Sequence, residues 1–144
     1  MPGYNTHRIF NYIIFIVAIL YLYYSGIFHL SLVQLLAVGL GFYLGTEFVT
    51  PDLDTDSAAY KRWGRLRILI LPYKWLFKHR KSSHNIFYGG FIRIFYIIAV
   101  IAGSYYLLFK SFPPENLLFP VYIIIFLGGI IAANALHVIL DGIF

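Results

Sequence analysis

Four runs of apolar residues, each close to twenty long, are what this chain has to accommodate first: residues 9–28, 30–49, 86–109 and 117–140. As helices, runs of that length cross the roughly 30 Å hydrocarbon core of a bilayer. Lipid offers no hydrogen-bond partner to an open backbone, so helix is the state they must take there. Composition agrees: 60% of the chain is apolar, 20% aromatic and 12% charged, whereas an ordinary soluble domain is about 25% charged. The expectation is an all-α integral membrane four-helix bundle, one membrane domain over residues 1–144, with a structured loop at residues 50–85 between helices 2 and 3.

Residues 9–20 behind Arg8 imitate a signal peptide, but residues 21–28 offer no small-x-small cleavage site, so the segment reads as a retained anchor. Eight of the eleven basic residues fall in the loop between the second and third spans. The positive-inside rule then makes that loop cytoplasmic, together with both termini, in a cell inner membrane. Tyr21, Tyr23 and Tyr24, with Tyr105, Tyr106 and Tyr122, form the expected outer aromatic belt. The excess of 11 basic over 6 acidic residues is thereby explained without nucleic acid. Cysteine is absent, which excludes disulfides and thiolate metal sites.

In so apolar a chain the polar residues carry the chemistry. Glu47, Asp52, Asp54 and Asp56 crowd together after the second run, and carboxylates this close repel unless a cation or basic partner holds them. An extended backbone after Pro51 would aim Asp52, Asp54 and Asp56 the same way. His137 and Asp141, four apart, share one helix face and suit a metal or a hydrogen-bonded pair. His79 and His84, five apart, need a turn to converge, and Arg80 beside them suits a phosphate or carboxylate. With alternating spans, His7, the acidic cluster, His79, His84, His137 and Asp141 all fall at one membrane face. His29, in the opposite turn, is the expected bystander. Arg93, two turns into the third run, is expected to pair with Glu47 or the acidic cluster.

Thr6-His7-Arg8-Ile9, Pro51-Asp52-Leu53-Asp54 followed by Arg62-Trp63-Gly64, and His79-Arg80 with Ser83-His84 carry a resemblance over most of the chain. In these pieces the sequence resembles a family of small uncharacterised membrane proteins described as metal-binding. It is similar also to a wider group of membrane-bound metal-dependent hydrolases, which share the order of an early His, an Asp pair, a His-Arg segment with a second His, and a late His-x-x-x-Asp. The resemblance implies His7, Asp52, Asp54, His79, His84, His137 and Asp141 as metal ligands.

Imidazole with carboxylate suits Zn best, then Mn or Fe, as one ion or two. The function expected is metal-dependent hydrolysis of a phosphoester or related ester at the cytoplasmic surface. Asp56 is a spare carboxylate available as a base, and Arg80 steadies the phosphoryl charge. Membrane lipid is the expected partner, with a lipid-linked or other phosphoester as substrate. The alternative is a non-catalytic scaffold or binding subunit with a structural metal.

Overall fold

The computed structural model describes residues 3–27, 29–76, 86–112 and 121–143, with residues 86–88 described by backbone alone. Among them the chain is helical throughout. Three helices are long and apolar enough to cross a membrane: Tyr4–Ser25, Gly89–Phe109 within a longer helix, and Val121–Ile143. We label the helices α1 (Tyr4–Ser25), α2 (Leu32–Glu47), α3 (Ala58–Arg62), α4 (Leu71–Leu76), α5 (Ile86–Phe109) and α6 (Val121–Ile143).

Two differences from the sequence reading matter. Helix α1 begins at Tyr4 rather than near residue 9, so His7 and Arg8 lie on the helix and not before it. Helix α2 has 16 residues, about 24 Å of rise, which falls short of the roughly 30 Å core. Its start is set by Ser31, whose side chain accepts from the Gln34 backbone N–H while the Gln34 side chain accepts from the Ser31 N–H. That reciprocal cap spends two residues at the beginning of the apolar run. What the structure supports is therefore three candidate spans and a shorter apolar helix.

The tightest packing joins α2 to α6. A Cβ on Gly41 would overlap the Phe126 carbonyl oxygen, and one on Gly129 would overlap that of Val38. Only glycine permits this approach, the small-residue contact by which apolar helices associate where no hydrophobic force drives them. Gly41 meets Phe126 and Gly45 meets Ile130 and Ala133, so the two helices run parallel and bring their C-terminal ends together. Helix α1 runs antiparallel to α6, for Asn11 donates to the Ala133 carbonyl at 3.1 Å while His7 lies against Asp141. His7 and Asn11 are the buried residues of α1. Most of its apolar side chains face outward.

The connection from α2 to α4 folds around a small core of Leu53, Tyr60, Ile70 and Tyr73. It holds a 3₁₀ turn at Pro51–Asp54, the helix α3 capped by Ser57, and a second 3₁₀ segment at Gly64–Leu69. Pro72 occupies the first turn of α4, where its missing N–H costs nothing, and Gly64 takes a left-handed backbone, with φ 53°.

Candidate metal centre

Parallel α2 and α6 and antiparallel α1 deliver three chain segments to one end of the molecule. His7 comes from the first turns of α1, His137 and Asp141 from the last turns of α6, and Asp52 from the 3₁₀ turn just beyond α2. His7 Nε2 lies 3.1 Å from Asp141 Oδ1, and His137 Nε2 lies 3.5 Å from Asp141 Oδ2 and 3.3 Å from Asp52 Oδ2. The two imidazoles stack, ring centroids 3.8 Å apart and planes within 10°.

Donor chemistry and spacing both fit a cation. Ligand atoms of His7, His137 and Asp141 lie within 4.8 Å of one another. A tetrahedral ion bound at roughly 2.1 Å holds its ligands about 3.4 Å apart, close to the contacts around Asp141. The set is closed on one side and open on the other: His7, His137 and Asp141 side chains are 4–9% exposed, Asp52 29%.

The profile of the family described as "Uncharacterized metal-binding protein (DUF2227)" matches residues 2–144. The chain belongs to this family. It is also similar to an "Uncharacterized protein" from Aquifex aeolicus (strain VF5), 34% identical over 122 residues, covering 72% of this chain and 86% of the relative. No solved structure matches the chain. The family is described as metal-binding, and this member brings together a His/Asp set that could hold a metal ion.

The 3₁₀ turn decides where the other acids go. Three residues per turn replace the alternation of an extended strand, so the three aspartates diverge instead of aiming together. Asp52 faces His137. Asp54 is buried and lies within electrostatic reach of Arg93 and Tyr73. Asp56 is 80% exposed and accepts from Lys74 Nζ at 2.7 Å, a hydrogen bond that holds its carboxyl below the usual range. His79, Arg80 and His84 lie outside the described residues. His29 is exposed in the turn before α2, at the far end of α1.

Arg93 is 1% exposed and hydrogen-bonds the Tyr73 hydroxyl on the Asp54 side of the turn. Asp54 and Asp52 of the acidic cluster are its electrostatic partners. Burial pushes the Tyr73 hydroxyl above its ordinary pKa, so it stays protonated.

Glu47 organises a second cluster that the sequence reading missed. Its Oε1 is held by Arg8 Nε at 2.7 Å and the Tyr12 hydroxyl at 2.8 Å, and its Oε2 by Tyr4 and Arg62. Asn11 completes the row by donating to Thr46 Oγ1 at 3.2 Å. Tyr4, His7, Arg8, Asn11 and Tyr12 recur three and four apart, a polar stripe on an otherwise apolar helix. Starting the first helix at residue 9 cut that stripe in two.

Proposed function

We propose that this protein is a metal-dependent hydrolase of phosphoesters at the cytoplasmic membrane surface, with one divalent ion held by His7, His137 and Asp141. The observation that carries the reading is the asymmetry of the site, two buried histidines and an Asp141 side chain 9% exposed against a more open carboxylate, Asp52, at 29%. A structural site is closed on all sides, whereas a catalytic one keeps a position open. A divalent cation there supplies Lewis-acid polarisation of the phosphoryl group and acidifies water. The chain's own residues do the rest. Asp52 takes the proton from the attacking water, and Arg80 steadies the charge that gathers on the phosphoryl oxygens. The stacked imidazoles and Asp141 exclude bulk water from the buried side. Asp56, engaged by Lys74, has no part in this reading. Zinc suits two nitrogens and a carboxylate best, ahead of Mn or Fe.

The test pairs metal content with turnover. Purified protein is loaded with Zn, Mn or Fe(II) and offered p-nitrophenyl phosphate and phosphatidic acid. His137→Ala is expected to lose both bound metal and phosphate release. Asp52→Ala is expected to keep the metal and lose turnover. A loaded wild type that hydrolyses neither ester, or an Asp52→Ala protein as active as wild type, overturns the reading.

A second reading has one observation in its favour: the donors come from opposite ends of the chain, His7 and Asp141. A metal there would tie α1 to α6 in a non-catalytic scaffold, and its removal would unfold the protein.

A further inference from the structure

We infer that the groove between α2, α5 and α6 binds one acyl chain of an anionic phospholipid, with the lipid phosphate on Arg62 at the groove mouth. The groove encloses about 620 Å³, inside the ~300–1,000 Å³ typical of ligand pockets. Its walls are apolar: Ile94, Ile97, Ile101 and Tyr105 along α5, facing Phe126 and Ile130 of α6. Recurrence at three and four residues makes the α5 wall a single straight stripe. From Ile94 to Tyr105 that stripe rises about 16 Å, half of the roughly 30 Å hydrocarbon core. A channel of that length fits the chain of a lipid from one leaflet.

Charge at one end says which lipid. Arg62 and Trp63 both line the groove, and both are fixed in place. The Trp63 indole N–H donates to the Phe48 carbonyl at 3.1 Å. Arg62 binds Glu47 and Tyr4 through Nη1 alone, so among the described residues its Nε and Nη2 have no partner. Two guanidiniums, Arg8 and Arg62, meet one carboxylate, Glu47, which leaves one positive charge in excess. A guanidinium edge with two free N–H groups matches two phosphate oxygens. The same Arg62 contacts Tyr4, one helical turn before His7 on α1, so the mouth of the groove adjoins the metal centre. This deepens the hydrolase reading by naming its substrate as an anionic phospholipid, and it depends on that reading only for the lipid's being turned over.

The experiment measures occupancy without metal or turnover. The chain has two tryptophans, Trp63 and Trp75. In a Trp75→Phe background, Trp63 fluorescence is followed in vesicles of phosphatidylcholine carrying either phosphatidylglycerol or phosphatidylcholine with brominated acyl chains, at equal mole fraction. Brominated phosphatidylglycerol is expected to quench at least about threefold more effectively. Ala102→Phe, which fills the groove, is expected to abolish that excess, and Arg62→Gln to equalise the two lipids while quenching persists. Equal quenching by both lipids in the wild-type groove overturns the inference, with no variant needed. So does the absence of quenching by either, as a second copy of the chain seated in the groove would give. Either failure leaves the metal and turnover assays standing, and failure of those assays leaves the lipid site standing.

Discussion

Glu47 sits at 3% exposure, and a carboxylate so placed is tolerable only because four side chains surround it. Arg8 and Arg62 supply charge while Tyr4 and Tyr12 supply hydroxyl donors. Three of the four belong to α1, so this one acid does much of the docking of the first helix. Replacing a buried, paired charge strands its partners. Because Arg8 and Arg62 remain partly solvated, Glu47→Gln is expected to cost roughly 2–3 kcal/mol, less than a fully buried pair would. The unfolding midpoint in denaturant, measured in detergent, checks this. An unmoved midpoint would mean that something other than Glu47 holds α1. Asp56→Asn, whose partner Lys74 meets it in open solvent, is expected to leave the midpoint where it is. At this scale residue identity told half the story. The late His-x-x-x-Asp pair was visible because four-residue spacing on a helix needs no tertiary knowledge. The Glu47 cluster was not, since its members span Tyr4 to Arg62 and nothing local links them.

Among the elements, the α2–α6 contact governs where the site forms. Gly41, Gly45 and Gly129 let the backbones touch, and the parallel pairing that results carries Glu47, Asp52, His137 and Asp141 to the same end. Gly41→Leu must push α6 away, since even a Cβ would overlap the Phe126 carbonyl oxygen. It is expected to cost about 1–3 kcal/mol, the usual range for overpacking. Metal affinity should fall with it, because His137 and Asp141 retreat from His7, the third donor of the set. Gly39→Ala, on the same helix but with nothing within 4 Å of the added methyl, is the control and should change neither. Stability in detergent and metal stoichiometry read both effects. A Gly41→Leu protein with normal metal content would break the link between this contact and the site. The two glycines four apart on α2 stand in the sequence, yet the motif does not name its partner. Gly129 lies more than eighty residues away.

For the whole molecule, the metal centre closes a circuit between the two ends of the chain. His7 and Asp141 approach to 3.1 Å, and α1 otherwise touches its neighbours through the polar stripe and the Phe15–Phe42 ring stack at 4.2 Å. Removing a bound metal therefore has a regional consequence. On chelation, deuterium uptake over residues 4–12 is expected to rise several-fold while uptake over residues 38–45 stays flat, because glycine packing holds that region without metal. A uniform rise would favour the structural-metal reading, in which the ion supports the entire fold. No change anywhere would detach the metal from the docking of α1.

Hydrophobic run length and the scarcity of charge point to the helical class from the primary structure alone, since bare backbone is costly in lipid, but of the four runs only three fold as helices long enough to be candidate spans, the second being shortened by its cap. Residue chemistry likewise marks His7, His137, Asp141 and Asp52 as cation-binding material. Which of them meet is decided by the packed chain. A 3₁₀ turn, not an extended strand, separates Asp52 from Asp54 and Asp56, and a glycine contact, invisible until both helices are placed, orients α6. Spacing along a helix is a local property with a fixed period, whereas convergence of segments more than a hundred residues apart depends on where backbones can approach, and here that is where Cβ atoms are missing.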